Sequence, residues 1–191
     1  MQSAPEGDGL AHLVDLIGAL RSARTDSSLH ATVEELDAEG RSMRSYEVRA
    51  GTEQGTHEFD CTGRRPSDKF SFVYSPGEST LVVTEAVGAP HRRINVFRLP
   101  SSPPVLGMLS PLDLPIWGGQ YDGARVTESA AASAGVIRLE FGNKDAPREA
   151  SQRGHTLIDL ELGVVVELGY FGSRFVAGNV RTIPYLRGLW Q

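Results

Sequence analysis

Eleven short runs of β-type residues, separated by turn residues, dominate this sequence. Six follow one another without an intervening helix, at residues 29–36, 43–49, 56–61, 70–74, 80–86 and 93–98. Five more follow at residues 125–129, 136–141, 156–162, 164–170 and 175–182. Strands joined by connections too short for a crossover pair antiparallel. The pattern predicts an α+β chain, mainly antiparallel β, with about eleven strands in one large, curved sheet or barrel.

The run at residues 70–74 carries an aromatic ring at every second position, Phe70, Phe72 and Tyr74. Because side chains alternate across a strand, the three rings share one face. Pro66 cannot donate to a ladder, so we expect the strand to begin after it. Pro76, followed by Gly77, then turns the chain into the next run.

That next run adds Leu81 and Val83 to the apolar face of the predicted hairpin. One interpretation is that this face is the core side of an ordinary antiparallel sheet. The other is that it forms the wall of a cavity for an apolar ligand. Both interpretations stay open at the level of the sequence.

Residues 99–119, between the two sets of strands, combine five prolines with many large apolar side chains. The prolines prevent a ladder or a long helix, yet the apolar side chains are too numerous to leave in water. Fully burying each one stabilises the fold by roughly 1.5–3 kcal/mol, so we expect one or two helical turns that cover the open face of the sheet. The segment is either a fixed plug or a lid that opens for a ligand. The residues predicted to form it are Leu106, Met108, Leu109, Leu112 and Trp117.

One amphipathic helix is predicted before the strands. Apolar residues recur at helical spacing, and Asp8 could cap the helix. Residues 1–8 would then form a flexible tail. The predicted apolar stripe, which should pack on the sheet, consists of Leu10, Leu13, Val14, Ile17 and Leu20.

The composition is that of one domain over residues 1–191, with 40% hydrophobic residues to form a core. The net charge of -5 argues against a nucleic-acid partner, which requires a positively charged face. Cys61 is the single cysteine, so neither an intramolecular disulfide nor a thiolate metal cluster is expected. The chain shows no export signal and no run of apolar residues long enough to span a membrane, which is weak evidence for a cytoplasmic location.

Signals of catalysis are sparse. The five histidines lack metal-ligand spacing, and the sequence has no nucleophile elbow or phosphate-binding glycine loop. We therefore predict no catalytic residue, no metal and no cofactor. His30 and His57 lie on neighbouring predicted strands and could meet beside a carboxylate, which keeps an unrecognised hydrolase as an alternative.

The opening of the aromatic strand resembles a known family. Arg65 and Pro66, then Phe70, Phe72 and Tyr74, then Pro76, are similar to the LolA-like superfamily of periplasmic lipoprotein carriers, lipoprotein-sorting proteins and lipid carriers. A weaker similarity lies in the strand–turn–strand pattern at residues 159–168. The arrangement extends from Leu10 to about Val180, but only the Arg-Pro-aromatic stretch is specific.

The resemblance implies an incomplete, highly curved antiparallel barrel with helices over its open side. It also implies non-catalytic binding and transport of lipid or lipoprotein acyl chains in an apolar cavity, with a membrane-protein donor or acceptor, in the periplasm or cell envelope. The chain departs from the family at residues 85–88, which read Glu-Ala-Val-Gly where the family commonly has an Asp-Gly turn. A non-transporting envelope sensor or protein-interaction domain on the same fold is the main alternative.

Overall fold

A computed structural model describes residues 7–23, 27–53, 56–65, 69–85, 90–94, 104–118, 122–143, 145, 153–170 and 172–184. Within them, eleven antiparallel strands form one sheet, and the longest helix, α1 (Gly7–Ala23), precedes the strands. The strands are β1 (Ser27–Leu36), β2 (Ser42–Glu53), β3 (Thr56–Gly63), β4 (Phe70–Ser75), β5 (Thr80–Glu85), β6 (His91–Ile94), β7 (Ala124–Ser133), β8 (Val136–Asn143), β9 (Arg153–Asp159), β10 (Val164–Tyr170) and β11 (Ser173–Pro184). The predicted fold class is confirmed.

The strand order is β6-β5-β4-β3-β2-β1-β11-β10-β9-β8-β7. Two antiparallel meanders, β1–β6 and β7–β11, therefore lie side by side and meet where β1 pairs with β11. Among the described residues, β6 and β7 are the outer strands, and the sheet is open rather than closed into a barrel. The short connections within each meander follow from the turn residues that separate the strands.

Helix α1 packs one apolar face against the core, but its orientation differs from the predicted one. Leu16 and Leu20 are buried and Leu13 packs against the core, whereas Val14 is 64% exposed. Apolar residues occupy a wide arc of this helix, and packing against the sheet selects the side that contains Leu16. The helix begins at Gly7, so Asp8 lies inside its first turn and does not cap it.

Several strand boundaries differ from the sequence prediction, and β7 and β9 are two examples. The strand predicted at residues 125–129 extends to Ser133 in β7, and the chain turns at Ala134 and Gly135, where Gly135 has a φ of 75°. Strand β9 ends at Asp159 because its carboxylate accepts hydrogen bonds from the backbone nitrogens of Glu161 and Leu162, over 2.9 and 3.0 Å. Such a local bond replaces the ladder and starts the turn.

None of the helices in the described part of the chain combines the length and the apolar character needed to cross a bilayer.

Candidate functional site

The aromatic strand β4 lies between two apolar strands. Phe72 pairs with Phe59 of β3 on one side and with Val83 of β5 on the other, and Tyr74 pairs with Leu81. Paired residues share a face of the sheet, so these side chains converge on the core. Phe72 and Tyr74 are 7% exposed, and Leu81 and Val83 are buried further.

The aromatic rings contact one another along this face. The rings of Phe70 and Phe72 meet edge to face, with centroids 5.7 Å apart, and Phe70 is half-buried. The ring of His57 stacks on Tyr74, with a centroid separation of 6.1 Å. Burial raises the pKa of Tyr74, and the negative charge of Asp113 raises it further. Tyr74 therefore lies near the segment that covers the sheet.

We refer to residues 104–118 as the covering segment. It consists of helix α2 (Pro104–Gly107), a 3₁₀ turn (Pro111–Asp113) and connecting residues, as five prolines in the surrounding sequence led us to expect. Of the predicted covering residues, Leu112 and Trp117 are half-buried, and the side chain of Leu106 lies outside the described residues. The large apolar side chains buried to 4% exposure or less are Val105, Met108, Leu109, Leu114 and Ile116.

The covering segment is attached to the second meander by isolated hydrogen bonds rather than a ladder. The backbone nitrogen of Val165 donates to the carbonyl of Met108 over 2.7 Å, and that of Ala124 donates to Pro115 over 3.2 Å. Val165 lies at a register shift between β10 and β9. Trp117 forms an isolated bridge with Arg125 of the outer strand β7.

Hydrogen bonds inside the covering segment fix its own shape. The indole Nε1 of Trp117 donates to the carbonyl of Pro111 over 3.0 Å. The hydroxyl of Ser110 donates to the carboxylate of Asp113, whose backbone nitrogen donates back to Ser110 over 2.8 Å. The first bond ties the two side chains together, and the second is the backbone bond that closes the 3₁₀ turn. The segment is thus a small folded unit laid over the sheet.

The predicted encounter of His30 with His57 does not occur. His57 lies on the core face with Tyr74, whereas His30 alternates with the buried residues Ala31 and Val33 of β1 and so lies on the opposite face. Side chains on opposite faces cannot share a substrate. His30 instead contacts the carboxylate of Glu47, over 2.9 Å. The described residues contain no group of three histidine, cysteine or acidic side chains that could hold a metal.

Leu114 and Ile116, which sequence analysis counted among the apolar side chains of residues 99–119 without naming them in the lid, are fully buried in the covering segment. Sequence analysis did miss one group of residues. A polar group of His155, Glu167 and Arg174 forms on the other face of β9–β11. No spacing in the sequence predicts this polar group, because strand register alone brings its members together.

No protein-family model matches the sequence, and no curated protein matches it. Among solved structures, the Pseudomonas aeruginosa MucA/MucB complex matches 93% of this chain and 59% of that chain at 13% identity, with a TM-score of 0.47. This chain therefore spans about three fifths of that protein. A DUF1329 family protein from Desulfovibrio piger matches 92% of each chain at 14% identity, with a TM-score of 0.40. The Mycobacterium tuberculosis lipoprotein LppX matches 89% of this chain and 95% of that chain at 11% identity, with a TM-score of 0.34. Likenesses this distant say nothing about what the present chain binds.

Proposed function

We propose that this chain is a non-catalytic binding and transport domain for the acyl chains of a lipid or lipoprotein. The ligand would lie between the apolar face of the sheet and the covering segment. The observation that carries the proposal is that a separately folded segment, joined to the sheet by isolated hydrogen bonds, lies near Tyr74 of the apolar β4–β5 face. A strand ladder would be costly to open, whereas such a unit can exchange its contacts for those of a ligand.

In the proposed site, Phe70, Phe72, Tyr74, Leu81 and Val83 contact the acyl chain. Leu106, Met108, Leu109, Leu112 and Trp117 are the contacts that the ligand displaces. Apolar attraction is non-directional and scales with buried area, so such a wall tolerates chains of different length. Release of the ligand then requires only that the covering segment return to its place on the sheet.

Opening has a definite cost in this arrangement. The bonds from Val165 to Met108 and from Ala124 to Pro115 must break, and each is worth about 0.5–1.5 kcal/mol. Burial of one acyl methylene contributes about 0.8 kcal/mol. A chain of several methylenes therefore offsets the lost hydrogen bonds, provided that the apolar side chains of the covering segment pack against the acyl chain and do not enter water.

Native mass spectrometry of the purified protein tests the proposal. We expect adducts with the mass of fatty acids or lipids, and saturable binding of added fatty acid after these are removed. Val83→Phe fills space on the core face and should weaken binding at least tenfold, whereas Ile94→Phe, at a side chain 68% exposed, should not. Folding of both variants is checked by circular dichroism. Absence of any acyl adduct in either condition contradicts the proposal.

A second candidate is a non-transporting sensor or protein-interaction domain on the same fold. It is favoured by the complete burial of Met108, Leu114 and Ile116, which are 0% exposed. A core that is already closed needs no lipid. Under this candidate, the covering segment is a permanent part of the core, and a protein partner takes the place of the lipid.

The proposed setting is the periplasm or cell envelope, where a membrane protein would act as donor or acceptor of the ligand. The proposed domain is the single unit of residues 1–191, without enzymatic activity, cofactor or nucleic-acid partner. These assignments rest on the resemblance of the Arg65-Pro66 and aromatic stretch to the LolA-like superfamily. A cytoplasmic location is the competing expectation.

A further inference from the structure

The core face of the first meander carries a row of side chains with polar tips near one end of its strands. Tyr74 pairs with His57 on one side and with Leu81 on the other. Leu81 in turn pairs with Arg93 of the outer strand β6. Paired residues share one face of the sheet. These four residues, which we call the rim row, therefore add an imidazole, a phenol and a guanidinium to the apolar face described above.

The next row along the same strands is apolar. Phe72 pairs with Phe59 and with Val83, and all three side chains are 7% exposed or less. Two residues along a strand span about 7 Å, so the rim row lies one such step from this apolar row. A molecule that lies along the strands on this face would meet hydrocarbon at one row and polar groups at the next.

Arg93 lies at the exposed end of the rim row. Its side chain is exposed, whereas Leu81 beside it is 1% exposed. Among the described residues, the guanidinium of Arg93 forms no hydrogen bond or ion pair, so its donors are available to a ligand. An arginine fork binds a carboxylate through two parallel, charge-assisted bonds. Arg93 therefore offers a carboxylate site where the buried apolar face ends.

A carboxylate of the covering segment lies near the rim row. Burial raises the pKa of Tyr74 and the negative charge of Asp113 raises it further, which indicates that Asp113 is close to the phenol. Asp113 accepts from the hydroxyl of Ser110 in its own 3₁₀ turn. Under the proposed function an acyl chain displaces the covering segment, and Asp113 moves away with it. A negatively charged head on the ligand would then replace the charge that leaves.

Two other charges on β5 and β6 are placed so that they interfere little with such a head. The exposed carboxylate of Glu85 shares the core face, since Glu85 pairs with Phe70. It lies four residues along the strands from the rim row, about 14 Å, which exceeds the Debye length of about 8 Å at physiological ionic strength. Arg92 lies on the opposite face, where it donates to the hydroxyl of Thr80 over 3.3 Å.

We propose that the acyl ligand is a free fatty acid, whose carboxylate is bound by the guanidinium of Arg93 at the rim row. The inference rests on the proposed function, because it requires an acyl chain on the same face, extending from the rim row over Phe72 and Val83. A single arginine fork matches the two oxygens of a carboxylate. An uncharged ester of the same acyl chain buries as much hydrocarbon but lacks the charge that Arg93 pairs with.

Equilibrium dialysis of the full chain against dodecanoate and against its uncharged glycerol monoester tests the inference. We expect the wild type to bind dodecanoate about tenfold more tightly than the ester. Arg93→Gln should remove this preference by weakening dodecanoate binding alone, whereas Arg93→Lys, which keeps the charge, should retain part of it. The matched control is Arg92→Gln, which removes the same charge from the neighbouring exposed residue on the opposite face and should bind both ligands as the wild type does.

The outcomes of this experiment separate the carboxylate site from acyl binding itself. A loss of dodecanoate binding alone in Arg93→Gln supports the carboxylate site. Three results overturn it while acyl binding stands: equal affinity of the wild type for both ligands, equal weakening of both ligands in Arg93→Gln, or the same loss of dodecanoate binding in Arg92→Gln. If the wild type binds neither ligand, the carboxylate site and the proposed function both fail. Circular dichroism checks that each variant is folded.

Discussion

The side chain of Leu114 lies against the α-carbon of Gly107, and a β-carbon added there would stand 3.0 Å from Leu114 Cγ and closer still to its Cδ2. This contact folds the covering segment back on itself, so that α2 and the 3₁₀ turn form one unit. Because Leu114 is fully buried, it has no free space into which it can move.

Gly107→Ala should therefore destabilise the fold by about 1–3 kcal/mol, the usual cost of forcing extra volume into a packed core. Urea denaturation measures the change. Gly123→Ala is the control, since nothing lies within 4 Å of its added β-carbon. Equal stability of the two variants would mean that Leu114 adapts and that the segment is loosely packed.

Phe72→Ala distinguishes whether the ring of Phe72 is only part of the core or also contacts a ligand. Removing a buried phenyl ring costs roughly 3–5 kcal/mol, and added fatty acid should restore part of the loss if the acyl chain occupies the vacated space. Denaturant unfolding with and without fatty acid gives both numbers. A full loss that the ligand leaves unchanged would contradict acyl binding at this face. Ile94→Ala, at an exposed position, is the matched control.

Trp117 reports on the covering segment. Its indole is half-buried and bonded to Pro111, so displacement of Met108 and Leu109 by an acyl chain should change its emission. We expect little response from Trp190, which lies outside the described residues, and Trp190→Phe isolates the signal.

Hydrogen exchange tests the same segment without a fluorophore. A mobile lid should show faster exchange at residues 105–117 than β4 shows, and fatty acid should alter it. If the amides of the segment are as protected as those of β4 and fatty acid has no effect, the segment is a fixed plug. The interaction-domain candidate would then be preferred.

Protonation of His30 should weaken the fold as the pH falls. Burial lowers the pKa of His30 below 6.5; Glu47 opposes this shift, and Arg181 and Arg49 reinforce it. Arg181 Nε donates to Nδ1 of His30 over 3.1 Å, a bond that only the unprotonated nitrogen can accept. As the pH falls through about 6.5, the unfolded chain takes up this proton first, so the free energy of unfolding declines below that pH and is largest above it.

Urea denaturation between about pH 5 and 8 measures this dependence. His30→Gln should flatten the pH dependence of the free energy of unfolding just below pH 6.5. Arg181→Gln should reduce this dependence, because one cause of the lowered pKa of His30 is gone. An unchanged slope in His30→Gln would assign the dependence to other groups.

Strand positions were predictable because alternation is a local property, and β10 occupies the predicted residues 164–170. Which side of α1 faces the core was not predictable, because Val14 and Leu16 are both apolar. Only packing against the sheet determines which of the two is buried. The Met108–Val165 bond depends on a register shift in β10, and the grouping of His155 with Arg174 depends on the pairing of three strands. Neither is encoded in residue spacing.

The strand order also bears on how the chain reaches this structure. Each meander can form from hairpins between neighbours, but the pairing of β1 with β11 joins Ser27 to Pro184 and spans almost the whole described chain. Contacts so distant in sequence bear a large loop-closure entropy before they contribute any stability, and they slow folding. Formation of the β1–β11 pairing is therefore expected to limit the refolding rate. Each meander should form before the two meanders join.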